Sequence, residues 1–311
     1  MALRNCIEPR LVKGWGLGDN AAMITERANA AIPHVQWREI AQAFTRPTLA
    51  EVAQRGCAAG VRGRLQAAGL PVPDGLSLAQ VLDQALNGLR QHYRCEYVYK
   101  STITNRIVFG RHSPRTASLH VELPVGRSIV DLAVYNGHST AYEIKTELDS
   151  HRRLVSQTPD YLRAFERVIV VTHPQLIERY LTVLDERVGV MTLSASGSLT
   201  EVRAPFADTD RLDPSVLFRL LRSAEYRAAL EAHFGPQPKL ANGRQFQHFF
   251  HLWQTLPVAE AHRITKEALR ARTTDQDTVA WVRQLPASWR VLGYATPLSG
   301  VQRQRLLKAL S

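Results

Sequence analysis

The segment from Ser128 to Lys145 constrains the fold more than any other stretch. Ser128-Ile129-Val130-Asp131-Leu132-Ala133-Val134-Tyr135 and Thr140-Ala141-Tyr142-Glu143-Ile144-Lys145 are both strand-length runs rich in β-branched and aromatic residues. Asn136-Gly137 between them favours a hairpin turn. Side chains alternate faces along a strand. If Val130, Leu132, Val134, Tyr142 and Ile144 share one core, then Asp131, Glu143 and Lys145 share the opposite face. A two-residue loop would set Asp131 opposite Tyr142 and break that pattern. A three-residue loop, Asn136-Gly137-His138, sets Asp131 opposite Glu143, as a Gly-containing turn with a bulge allows. The core pattern and the charged cluster therefore call for the same register.

The neighbouring sequence extends this hairpin into a mixed α/β sheet. His120-Val121-Glu122-Leu123 reads as a strand before it. A helix is expected from about residue 150 to 165, with Asp149 as N-cap and Pro159 kinking or restarting it. Arg167-Val168-Ile169-Val170-Val171-Thr172 is an apolar run that reads as a buried strand, and Gly189–Leu193 adds a further one. The chain divides into a mostly helical zone over 1–115, this sheet-bearing core over 116–205, and a helical zone over 206–311. In the first zone Thr48 and Glu51 have capping-box spacing. A turn falls at residues 69–75, and a helix spans about Ser77–Tyr93 with Leu78, Val81, Leu82, Ala85, Leu86 and Leu89 on one face. In the last zone an amphipathic segment from Leu217 to Leu230 stops at Gly235-Pro236-Gln237-Pro238, and a final helix covers about Gly300–Leu310.

Composition narrows the class. The 311 residues carry 39 Lys and Arg against 28 Asp and Glu, a net charge of +11. Such an excess favours a polyanionic partner, nucleic acid first, although a solvated basic face also accounts for it. No run of apolar residues is long enough to span a membrane, so no membrane partner is expected. The opening Met1-Ala2-Leu3-Arg4-Asn5-Cys6 lacks the apolar stretch of a signal peptide. Three scattered cysteines, Cys6, Cys57 and Cys95, form no zinc or disulfide pattern. A reducing cytoplasm is the expected compartment.

Two carboxylates side by side repel and call for a cation, and hard oxygen donors suit Mg²⁺ or Mn²⁺. A lysine two residues after the glutamate either holds the carboxylates by charge or acts on a water. Phosphodiester hydrolysis needs this equipment. On Asp131 and Glu143-Ile144-Lys145, the chain resembles the PD-(D/E)XK phosphodiesterase superfamily, in an uncharacterised bacterial branch. Gln157-Thr158-Pro159-Asp160-Tyr161 on the following helix looks like the Q-x-x-x-Y motif of its exonuclease-like members. The resemblance is carried between about Arg94 and Thr172, and Arg94, Glu96, Tyr97, Lys100 and Arg111-His112-Ser113 fit the same branch. It implies a restriction-endonuclease-like mixed sheet flanked by helical extensions and a metal-dependent nuclease acting on DNA more than RNA. Asp131, Glu143 and the Ile144 carbonyl would hold the metal, and Lys145 would orient water. The products would be a 5′-phosphate and a 3′-hydroxyl.

Many members of that superfamily carry a further acid on an N-terminal helix. Glu122, on the strand before Asp131, and Glu96, just after the helix ending near Tyr93, both qualify, and sequence distance favours Glu122. Gln157 and Tyr161 either support the site or pack helix on sheet. Arg152 and Arg153, with His151, lie where they would meet phosphates or only solvent. His248 and His251 lack further ligands, and Gly14-Trp15-Gly16-Leu17-Gly18 has the wrong spacing for a phosphate loop. The settings open to such an enzyme are phage defence, a mobile element or repair, with a homo-oligomer or an operon-encoded protein as further partner. The alternative is a non-catalytic module on the same scaffold that binds nucleic acid or protein.

Overall fold

The computed structural model describes residues 32–147, 149 and 154–311. A six-stranded sheet runs in sequence order, β1 (Ser118–Val125), β2 (Ser128–Tyr135), β3 (Ser139–Lys145), β4 (Arg167–Thr172), β5 (Gly189–Leu193) and β6 (Leu199–Arg203). The first three strands form an antiparallel meander, β3, β4 and β5 are mutually parallel, and β6 returns antiparallel. The sheet is thus mixed, as the sequence implied, with β6 as an addition. That strand is polar and mostly exposed, so no apolar run marks it.

The expected register is present. Leu132 faces Tyr142 and Tyr135 faces Ser139, which leaves Asn136-Gly137-His138 as the loop. Gly137 takes φ +108, the left-handed backbone that such a turn assigns to glycine. One facial assignment needs correction. Leu132, Val134, Tyr142 and Ile144 share a core as expected, but Val130 packs on the other face with Ala133, Tyr135 and Ala141. The alternation slips where β1 stops pairing: Glu122 stands at φ +55, and the ladder between β1 and β2 skips the Glu122–Asp131 step.

Both faces of the sheet are covered by helices. On one lie α1 (His34–Ala41), α2 (Arg46–Arg55), α3 (Ala59–Ala67), α4 (Leu78–His92) and α5 (Glu96–Ile103), the last running on as a π-helix over Thr104–Arg111. α4 has the expected apolar face and starts on a capping box between Ser77 and Gln80. The cap of α2 is Thr45 rather than Thr48. Its hydroxyl accepts from the Thr48 amide, and Pro47 in the first turn needs no partner of its own. On the other face lie α6 (Leu154–Leu162), α8 (Pro214–Leu220), α9 (Ser223–Phe234), α10 (Asn242–Gln254) and α11 (Val258–Thr274), with α7 (Ile177–Val183) joining β4 to β5. Pro159 does not split α6, which continues to Leu162. Leu221 and Arg222 do break the expected single helix after Leu217 into α8 and α9.

The last helices, α12 (Gln276–Gln284), α13 (Arg290–Ala295) and α14 (Gly300–Leu310), cross back to the first face. Trp281, Trp289, Leu306 and Leu310 are buried among Trp37, Phe44, Leu49 and Leu89. The Trp289 indole donates to the Ala43 carbonyl at 3.2 Å, and Tyr97 donates to the Ser288 carbonyl at 2.5 Å. The helical zones at the two ends of the sequence therefore build one layer together. Replacing a fully buried tryptophan by alanine removes both its burial and its packing. Trp289→Ala is expected to lower unfolding free energy by about 3–5 kcal/mol, read from the urea midpoint at unchanged slope.

Candidate active site

Strand register brings the charged cluster together. Asp131 on β2 lies one step beyond the Leu132–Tyr142 pair, opposite Glu143 on β3. Its Oδ2 accepts the Ile144 backbone N–H at 2.7 Å. Glu143 is 2 % exposed and Lys145 9 %. The Lys145 ammonium donates to Glu143 Oε1 at 2.7 Å and to Gln157 Oε1 at 3.3 Å. Among the described residues these contacts engage two of its three N–H groups.

Helix α6 roofs the pair. Gln157 and Tyr161 are one turn apart on one helical face, and Gln157 Nε2 donates to Tyr161 Oη at 3.3 Å. The Tyr161 hydroxyl lies 2.9 Å from Glu143 Oε2 and 2.7 Å from the Ile129 carbonyl, so its single proton serves one or the other. Burial and the Glu143 charge push this phenol far above its ordinary range, which keeps it a donor. Tyr161 is also wholly buried in the helix–sheet core. The packing role and the supporting role are filled by one side chain. α6 is tied in turn to the β1–β2 turn, where Asp160 Oδ2 accepts from Arg127 N at 3.2 Å and from Ser128 Oγ at 2.7 Å.

Both further acids sit near this cluster, joined by one lysine. Lys100 on α5 is buried, contacts Glu96 one turn before it, and donates to Glu122 Oε1 at 3.0 Å. Arg46, from α2, holds the other Glu122 oxygen at 2.8 Å. The left-handed backbone at Glu122 turns that carboxylate toward α2 and α5, and its side chain remains 45 % exposed. Asp131 feels the charges of Glu143, Glu96 and Lys100. Glu96 is thus the helix-borne acid within electrostatic reach of Asp131, while two cations neutralise Glu122. The Glu96-to-Lys100 spacing was a readable helical pair. Nothing in the sequence pointed to Arg46. Arg152 and Arg153, with His151, lie outside the described residues. Asp149 accepts from the Thr146 amide and hydroxyl at 2.9 Å each, which closes the turn after β3.

The pair sets a half-buried Asp131 beside a buried Glu143, with one ammonium, that of Lys145, on Glu143. Desolvation, then the neighbouring Glu143 and Glu96, push the Asp131 carboxyl up to about 7. Hard oxygens with surplus charge fit a divalent cation such as Mg²⁺. Among the described residues no three His, Cys, Asp or Glu side chains converge as a ready-made cage. Mg²⁺ suits that arrangement, because it commonly rests on one or two carboxylates, with water and substrate phosphate completing its shell. Asp131, Glu143 and the Ile144 carbonyl would be its protein donors.

The raised Asp131 value has a consequence for folding. The folded protein keeps the Asp131 proton up to about pH 7, whereas the unfolded chain releases it near pH 4. Between these values the folded state binds more protons, so stability present below about pH 4 is lost as pH rises to about 7. Asn at this position cannot ionise. In the presence of a chelator, the stability of Asp131→Asn relative to wild type should rise across that window and stay level above about pH 7. Urea unfolding at several pH values reads this directly.

A family described as Bacteriophage P4 protein cII matches residues 89–285, well over half of the chain. The stretch runs from the end of α4 through the sheet to α12 and takes in the site residues named above except Arg46. A curated relative, Protein cII of Enterobacteria phage P4, is 29 % identical over 109 residues. That alignment spans 33 % of this chain and 36 % of the phage protein, about a third of each. No solved structure matches the chain.

Proposed function

The chain belongs to the bacteriophage P4 protein cII family, and from the site it carries we propose that it is a metal-dependent nuclease that hydrolyses phosphodiester bonds of DNA. The observation that carries this reading is the buried Glu143 beside the half-buried Asp131, with Lys145 held between Glu143 and Gln157. Two adjacent carboxylates, one of them buried, are not held together for stability's sake. The meander, the helix bearing Gln157 and Tyr161, and the apolar strand β4 follow in the order on which the PD-(D/E)XK resemblance rests. We assign the chain to that fold on these grounds. The phage name of the family favours a mobile-element setting over defence or repair.

When bound, Mg²⁺ or Mn²⁺ would neutralise phosphate charge and lower the cost of forming hydroxide at neutral pH. The protein's own groups do the rest. Asp131 is held through Oδ2 by the Ile144 amide, and its carboxylate would serve as a donor to the cation. Tyr161 fixes Glu143 from behind. Lys145 directs its remaining N–H toward the attacking water or a phosphate oxygen, and its charge offsets the negative charge that builds up on phosphorus. The backbone charge of DNA meets a chain of net charge +11.

The second reading, a binding module without turnover, draws on one observation: Lys145 and Tyr161 occupy both oxygens of Glu143. Cleavage of plasmid and linear DNA with Mg²⁺ or Mn²⁺ separates the two. Asp131→Ala and Lys145→Ala should each lose at least about 100-fold in rate with the fold intact, the scale of a removed electrostatic stabiliser. No cutting by wild type, with salt-sensitive DNA binding equal in all three proteins, would leave the binding module. Glu96→Gln beside Glu122→Gln tests the third acid. The former should weaken Mg²⁺ dependence more, because Glu96 is the acid that Asp131 senses.

A further inference from the structure

A cleft opens on the face of the sheet opposite the carboxylate pair, at the other end of β3. Its volume is about 400 Å³, within the range of small-molecule sites. Tyr142, Ile169 and Met191 form an apolar floor with Ile107. Tyr142 and Glu143 are adjacent on one strand and point to opposite faces, so this floor is separated from the carboxylate pair by the sheet itself.

Cations line the rim. Arg111 and Arg167 both border the cleft, with His112, His138 and Asn136 between them and Glu201 as the single acid. Among the described residues neither arginine is paired with a carboxylate. Arg167 meets only the His138 ring, at 3.3 Å. Asn136 and His112 hold each other at 2.6 Å and so fix one wall. Both guanidiniums act on the Tyr142 phenol, whose hydroxyl makes no hydrogen bond among the described residues, which places all three groups around one volume.

The backbone that delivers this rim is itself unusual. Thr104–Arg111 is a π-helix eight residues long. Such turns are rare, rarely exceed a single turn, and concentrate at functional sites. Here the wide turn supplies Ile107 to the floor and ends by presenting Arg111 and then His112 to the rim. The Arg290 guanidinium, 4.3 Å from the Phe109 ring and donating to Asn105 Oδ1 at 2.8 Å, anchors the segment from behind.

We propose that this cleft binds a nucleoside 5′-monophosphate. Arg111 and Arg167 take the phosphate, since guanidinium forks match its oxygens in pairs. The flat base lies on the floor of Ile107, Tyr142, Ile169 and Met191. Glu201 and Asn136 offer an acceptor and a donor to its polar edge or to the ribose. The site stands apart from the carboxylate pair and does not depend on its activity.

Calorimetric titration with AMP, GMP, CMP, UMP and inorganic phosphate, at fixed ionic strength, tests the assignment. At least one nucleotide should bind at least tenfold more tightly than inorganic phosphate. Arg111→Gln and Arg167→Gln should each weaken that binding about tenfold or more, while Lys145→Ala leaves it unchanged. Tyr142→Phe, which retains the floor, reports the hydroxyl alone and should cost less than either arginine. Both arginines lie at the surface, so these variants are expected to fold, and matching thermal transitions confirm it. No binding of any nucleotide at millimolar concentration overturns the proposal. So does affinity equal to that of phosphate, or binding indifferent to both arginines.

Discussion

Two adjacent carboxylates, Glu143 buried and Asp131 half-buried, repel each other, and a few contacts between β2, β3 and α6 hold them together. The three-residue loop at 136–138 sets β2 against β3 so that Asp131 meets Glu143. The Ile144 amide then fixes Asp131, and the Lys145 ammonium fixes Glu143. Shifting that register by one residue would send Glu143 and Lys145 into the apolar core with Leu132 and Val134. The tight arrangement of α6, with Tyr161 wholly buried against the sheet, makes the same demand from above. Site and core are therefore specified by one alignment, and neither can drift without the other.

Much of this was legible because strand alternation is strict. β2, β3, β4 and β5 stand where apolar runs place them, and the loop length follows from the demand that two charged residues share a face. Val130 escaped that logic. Its facial assignment assumes an unbroken pleat, and the left-handed backbone at Glu122 interrupts the pleat beside Asp131. A non-glycine residue in that conformation leaves no mark in composition. β6 was missed for the opposite reason, being polar and solvent-facing. Lys100 carried a readable partner in Glu96, yet that it joins Glu96 to Glu122 depends on tertiary placement that spacing does not encode.

The carboxylate cluster and the cleft divide the sheet between them. One lies where β2 and β3 present acids beneath α6, and the other where β3 and β4 begin under a rim of arginines and histidines. The sheet supplies a rigid wall to both, since side chains of one strand serve opposite faces in turn. The proposed partners match these charges, a cation for the acidic cluster and an anion for the basic rim.

The layer formed jointly by the first and last helices has a consequence for biosynthesis. Leu89 and Trp289 pack in one core, but the chain between them must be made before they can meet. At elongation rates of about 5–20 residues per second, roughly 10–40 s separate their emergence. During that interval α1 to α4 expose apolar surface that only α12 to α14 will cover. A ribosome that stalls before α12 would release a product whose first helical layer lacks the part that α12 to α14 supply, which is the kind of apolar surface that chaperones hold and proteases read.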